Sequence, residues 1–386
     1  MKKVIAVVIL LLTVTVVGMS PQDIPPGRRH AGKGQRRRAP TAGAGQVYLG
    51  IWANPELGGP ACQSGPTQHD ICQEIAISKR EGSSSEGIGR NFALHLHYYD
   101  WGVIAQEASS GNFPDAELNG DLRSGRMPVI SWKCDDRPIP QGKTNSDNRI
   151  AGNDPLETST IKATAQALAR YPGPVLLRWF WEFNAITRNQ TCRDDSNGPN
   201  TTDFKNAWHQ IRTIFQQAHA TNVHFLWNPG DWNPEGKNSQ DKAVDPTNFY
   251  PAEGDVDWIG LDTYQHKASK TFSENFDSFY QAYSIHQKPI IVGENGSKNS
   301  SINSGGKETQ AAYLQSLVTY VQSGHPLLRG YDYFDSNGNF NWVLDDQGLL
   351  ALAAVGKNPA FSALPSLNPK PKAPPSKCHG KQPCQF

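Results

Sequence analysis

Apolar and polar positions alternate in blocks along the chain. Short β-rich apolar runs occur at residues 47–52, 92–98, 128–132, 175–181, 224–227, 258–264, 290–293 and 330–334. Several are continuously apolar, the pattern of parallel strands buried on both faces. Between them the spacing changes to three and four. Within 202–220, Phe204, Trp208, Ile211, Phe215 and Ala218 share one helical face, with Asp203 in the first turn. Within 307–324, Ala311, Leu314, Leu317, Tyr320 and Val321 do the same, and Gly324 stops the helix. Strands interleaved with helices in this way predict an α/β fold, a single (β/α)8 TIM barrel with enlarged loops over residues 46–364. An open doubly wound sheet would place a glycine-rich phosphate loop after its first strand. Neither G-x-G-x-x-G nor G-x-x-x-x-G-K-[ST] stands there.

The ends read differently. Lys2 and Lys3 precede an apolar run of 14 residues, 4–17, followed by the small residues Gly18 and Ser20. That order marks residues 1–20 as a secretory signal peptide. The run is short of the ~20 residues a membrane span needs, so no membrane span is expected. Residues 21–45 form a basic arm rich in Pro, Gly and Arg, and residues 365–386 form a Pro/Lys-rich tail. Both read as flexible linkers, or as electrostatic contacts to an anionic cell surface. A secreted, extracellular monomer is the expectation. The six cysteines suit that compartment: Cys62 with Cys72 and Cys378 with Cys384 are expected to close short loops, leaving Cys134 and Cys192 as a long-range pair. Neither C-x-x-C nor H-E-x-x-H occurs, so the spacing suggests no metal site.

Charge narrows the ligand. The whole chain carries a net +1, but residues 46–364 hold 25 basic and 35 acidic groups, a net of −10. So acidic a body repels a phosphate backbone, which excludes nucleic acid as its partner. A neutral or cationic ligand fits better. The 10 Trp, 12 Tyr and 15 Phe point to flat surfaces that suit sugar rings as well as cores.

In a barrel of this kind the chemistry lies at the C-terminal strand ends. The fourth run, PVLLRWFWEFN, places Glu182 just beyond its apolar residues, among Trp179, Trp181 and Phe183. Such aromatic surroundings raise a carboxyl pKa toward general-acid duty. The seventh run, KPIIVGENG, places Glu294 at its tip. Strands four and seven face each other across a barrel mouth. Two carboxylates converging there are the equipment of glycoside hydrolysis, one protonating the leaving oxygen and the other attacking carbon or activating water. Either Glu alone would read as an ordinary ion-pair partner; the pair carries the inference.

PVLLRWFWEFN resembles the acid/base strand of family 26 glycoside hydrolases, retaining clan A enzymes best known as endo-β-1,4-mannanases. Arg178, Glu182 and Asn184 match its Arg, catalytic Glu and Asn. NAWHQIRTIFQQAHATNVHFLWNPGD resembles the following helix and strand five, which ends near Trp227 and Asn228. DVDWIGLDTY resembles strand six, whose Tyr, here Tyr264, contacts the nucleophile, and KPIIVGENGS resembles the nucleophile strand. The resemblance spans roughly residues 46–360. It implies that Glu182 is the acid/base and Glu294 the nucleophile, that Arg178 and Tyr264 hold the nucleophile, and that no cofactor is needed. Asn184 and Trp181 would then shape the site beside the bond.

One position departs. The family usually has His immediately before the acid/base Glu, where this chain has Trp181, with one N–H donor and a large apolar face. The implied substrate is a β-linked polysaccharide, β-1,4-mannan first. A β-1,3-xylan or a β-glucan stays open, as does a carbohydrate-binding barrel without catalysis. Trp52, Trp132, Trp227 and Phe334, at strand ends, are candidate sugar platforms; Trp208 and Trp258 read as core. Asp231 and Asp262 are candidate hydrogen-bond partners. His95 and His97 on strand two are expected to divide between the barrel interior and the helix layer.

Overall fold

Eight parallel strands close on themselves in sequence order. They are β1 (Tyr48–Ala53), β2 (Leu94–Tyr99), β3 (Met127–Trp132), β4 (Val175–Trp179), β5 (Val223–Trp227), β6 (Trp258–Gln265), β7 (Ile290–Ser297) and β8 (Leu328–Asp335). The computed structural model describes residues 40–62, 69–136, 144–185, 192, 200–230, 245–266, 270–298, 310–337 and 340–366. The expected signal peptide, most of the basic arm, nearly all of the tail with Cys378 and Cys384, and Asp231 lie outside the described residues. Among the described residues no helix is long and apolar enough to cross a membrane. The (β/α)8 barrel expected from the apolar runs is the observed fold.

Side-chain alternation divides the apolar residues into two layers. Tyr48, Leu94, Leu96, Met127, Val129, Leu176, Leu226, Trp258 and Ile291 fill the barrel interior. Their chain neighbours face outward and pack under the helices. Helix α6 (Thr201–Gln217) starts at Asn200, whose side chain accepts from the Asp203 amide, and buries Phe204, Trp208, Ile211 and Phe215. Helix α8 (Gln310–Gln322) lies within the span its spacing predicted. The core expectation for Trp208 and Trp258 holds, as neither exposes any surface.

Disulfides Cys62–Cys72 and Cys134–Cys192 join loops near the mouth, with Cα–Cα distances of 5.6 and 5.8 Å. The first ties the segment after β1 to helix α1 (His69–Glu81). The second links the segments after β3 and β4, as expected of the remaining long-range pair.

The expectation for the two strand-two histidines is corrected. Residues two apart share a face of a strand, and both rings point to the helix layer, toward Asp121 on helix α3 (Ala116–Ser124). His95 Nδ1 lies 2.8 Å from Asp121 Oδ1. His97 contacts Asp121 through Nε2 at 2.6 Å and Glu117 through Nδ1 at 2.9 Å. A tetrahedral metal site would hold its ligand atoms about 3.3 Å apart, so these are hydrogen-bond distances. With a carboxylate on each ring nitrogen, His97 is an imidazolium. Burial works against its charge, but Asp121 and Glu117 outweigh burial and push its pKa up to about 10. Arg126, Glu74 and His95 complete the polar surroundings.

The sign for stability follows from that direction. A folded-state pKa above the unfolded ~6.5 stabilises fully below pH ~6.5 and loses that contribution as pH rises through about 10. His97→Gln is therefore expected to cost about 3–5 kcal/mol at neutral pH, the cost of breaking a buried ion pair. Melting temperatures from pH 6 to 10 check this: the parent should fall steeply and the variant should be flatter. Parallel curves would exclude a charged His97.

Candidate active site

Strand parity decides which polar residues reach the mouth. On β3 and β4, Ser131 and Arg178 face inward side by side in register. Arg178 is completely buried. Its Nε donates to Ser131 Oγ at 2.8 Å, its Nη1 to both oxygens of Asp262 at 2.9 Å, and its Nη2 to Glu294 Oε1 at 2.5 Å. Burial opposes the guanidinium charge, and the carboxylates of Asp262 and Glu294 more than restore it.

Glu294 owes its direction to an irregularity. On β7, Ile291 and Gly293 already face the interior, so strict alternation would turn Glu294 outward. The pairing of β7 with β8 shifts register between Val292 and Asn295, and β6 shifts between Leu261 and Asp262. The extra residue on β7 turns Glu294 inward beside Asp262, which already shares the inward parity of Trp258, and the two are partners in register. Gly293 allows it, because a Cβ there would stand 2.2 Å from Asn228 Oδ1. Glu294 then accepts from Tyr98 at 2.8 Å on Oε1 and from Tyr264 at 2.6 Å on Oε2. Burial, reinforced by the Glu294 charge, pushes both phenols well above the usual tyrosine range. They remain donors at any ordinary pH.

Glu182 arrives by a strained turn. Strand β4 ends at Trp179, two residues short of the apolar run, and Phe180 and Glu182 take positive φ of 51° and 54°. Left-handed backbone costs about 1–2 kcal/mol per non-glycine residue. The turn is held by Phe180 N to Trp132 O at 2.8 Å and Glu182 N to Asn228 O at 2.9 Å. Glu182 lies over Gly230, where a Cβ would meet its Cγ at 2.8 Å. As a result, carboxylate oxygens of Glu182, Asp262 and Glu294 lie within 4.8 Å of one another. Such a triad would also attract a cation. Arg178 already supplies positive charge between Asp262 and Glu294.

The structure gathers most of the expected residues and re-assigns three. Arg178, Trp181, Glu182, Tyr264, Glu294 and Phe334 meet at the mouth. Trp132 and Trp227 do not: both are fully buried on the outward parity of their strands. Trp132 stacks on Trp101 at 4.4 Å, and Trp227 packs against Phe183, Tyr250 and Tyr283, so neither offers a face to a sugar. Asn184 is also fully buried. Its amide donates to Gly230 O at 2.7 Å and accepts from Gly230 N at 2.8 Å. It fixes the glycine beneath Glu182 and has no exposed surface for a substrate.

The inward rings are others. Trp52 and Phe334 are register partners on β1 and β8 and stack at 4.9 Å, 11° from parallel. Tyr98 meets Trp181 edge-on at 5.4 Å, and Tyr264 stacks on Trp342 at 4.8 Å. Tyr98 was missed by the motif comparison, though its parity with Leu94 and Leu96 turns it inward. Asp332, beneath Phe334, was also missed; its oxygens find no hydrogen-bond partner among the described residues. Burial pushes its carboxyl well above the usual range.

No family model matches the sequence, and no curated protein matches it significantly. Solved structures do. An endo-β-1,4-mannanase of Cellulomonas fimi is 14 % identical, covering 86 % of this chain and 76 % of its own, with a TM-score of 0.56. The catalytic domain of a family 26 endo-β-1,4-mannanase from Bacillus sp. JAMB-750 is 14 % identical over 82 % of this chain and 86 % of its own, with a TM-score of 0.55. This chain has the fold of the family 26 glycoside hydrolases. A family 26 β-mannanase of Bacteroides ovatus agrees at 14 % identity, 82 % and 89 % coverage and a TM-score of 0.52. The aromatic and acidic mouth described above thus sits on a barrel of the family 26 type.

Proposed function

We propose that the protein is a retaining glycoside hydrolase of family 26 acting on β-1,4-mannan. The observation that carries the reading is the carboxylate pair: Glu182 and Glu294, on opposite sides of the mouth, approach within 4.8 Å. Retaining enzymes place their carboxyls about 5–5.5 Å apart, whereas inverting ones leave about 6.5–9.5 Å for a water. The donors around Glu294 support its role as nucleophile. Arg178, Tyr98 and Tyr264 donate to its two oxygens and hold the carboxyl in one orientation for attack on the sugar carbon. Glu182 protonates the leaving oxygen in the first step and takes a proton from water in the second. Both steps run on side chains alone.

Trp52, Phe334 and Trp181, each partly exposed, offer apolar surface to a pyranose chain. A purely binding barrel has no need of a three-donor clamp on a buried carboxylate. The disulfides and the secretory pattern of residues 1–20 support export, and the positive charge of the basic arm and tail suits contact with an anionic surface. Reducing-end release from locust-bean mannan, glucomannan, β-1,3-xylan and mixed-linkage glucan tests the reading. Mannan should be cleaved fastest. Retention on mannan without cleavage of any polysaccharide would replace hydrolysis by binding.

A further inference from the structure

The rings at the mouth need a fixed plane to recognise a sugar, and one of them is wired into the barrel wall. Trp52 is half-buried, stacked on Phe334, with its indole N–H turned toward helix α1. Below it lies Gln73 on that helix, 1 % exposed. The amide contacts Trp52 Nε1 at 2.8 Å on one side and Glu117 Oε1 at 3.0 Å on the other. The other oxygen of Glu117 meets His97 Nδ1 at 2.9 Å, and His97 Nε2 meets Asp121 at 2.6 Å.

Donor and acceptor rules allow this chain one polarity. A carboxylate only accepts, so Gln73 must present its N–H groups to Glu117. Its carbonyl oxygen then faces Trp52, and an indole N–H can only donate. Each link is satisfied in that sense and in no other. The disulfide from Cys62 to Cys72, the residue preceding Gln73, anchors this end of α1 to the segment after β1.

We propose that Gln73 is a positioning residue for substrate recognition: through the chain Asp121–His97–Glu117–Gln73–Trp52 it locks the plane of the Trp52 platform at the barrel mouth. The proposal rests on the polysaccharide-cleaving function argued above. It assigns no contact between Gln73 and the sugar. Loss of Gln73 should therefore appear as weaker binding of substrate, with the chemistry at Glu294 little changed.

The test combines kinetics with a readout that does not need activity. Gln73→Met keeps the length of the side chain and removes both hydrogen bonds. KM for mannan should rise about two- to ten-fold, with kcat changing less than about two-fold. Trp52→Phe, which keeps a ring but removes the N–H, should raise KM itself, and adding Q73M to it should have almost no further effect. Independently, the Trp52 indole N–H resonance should exchange faster with solvent in Q73M than in the parent. Faster exchange with no cleavage by the parent would overturn the hydrolase reading while leaving the wiring in place. Unchanged exchange, or a Q73M effect that persists in full in W52F, would overturn the proposal. Should Q73M fail to fold, an unchanged KM in W52F would overturn it equally.

Discussion

Glu294→Ala should abolish mannan cleavage, lowering kcat by about four to six orders of magnitude, while the barrel stays folded. The fold survives because Arg178, the buried cation that Glu294 neutralises, still has both oxygens of Asp262 and the Ser131 hydroxyl. Tyr98 and Tyr264 each lose an acceptor, costing about 1–3 kcal/mol apiece. Azide should restore part of the activity toward an activated aryl β-mannoside. A small anion fits the vacated volume and attacks from the side Glu294 occupied. The azide product should have inverted configuration, since a single displacement has taken place. Steady-state kinetics with and without azide, with proton NMR of the product, measure both effects. Full activity in the alanine variant would remove Glu294 from the mechanism.

Glu182→Ala should separate two classes of substrate. Mannan, with a poor leaving group, should lose about two to four orders of magnitude in kcat, the usual contribution of a general acid. An activated aryl glycoside should still transfer its sugar to Glu294 at near-parental rate, because its leaving group departs without a proton. Water attack then lacks its base, and turnover stalls after a burst of released phenol. Stopped-flow absorbance reads the burst directly. Equal losses on both substrates, without a burst, would give Glu182 a structural role.

Much of this was legible in the sequence, and parity explains the rest. Eight apolar runs alternating with helical spacing gave the barrel, because continuous apolar runs mark parallel strands buried on both faces and no phosphate loop favoured an open sheet. Glu182 and Glu294 stood out as charged residues at the ends of such runs. Strand-end position alone, however, could not sort the aromatic rings. Ser131 and Arg178 point inward, so Trp132 and Trp179 point outward, and Trp52 and Phe334 are the rings that remain. The same rule turns His95 and His97 together toward α3. Asn184 sits two residues from Glu182 and resembles a substrate ligand in sequence, but the left-handed turn at Phe180 and Glu182 drives its amide onto Gly230. Such a turn leaves no mark in composition. The register shifts that bring Glu294 into the interior are equally silent, since they depend on how β7 meets β8.

The central claim is that Glu294 carries the sugar between two displacements. Mass spectrometry of the Glu182→Ala variant, quenched in acid during turnover of an activated aryl β-mannoside and digested, tests it most directly. The account predicts a peptide bearing one mannosyl group on Glu294, accumulating to near stoichiometry during the burst. An adduct on another residue, or no adduct while phenol is released, would contradict it.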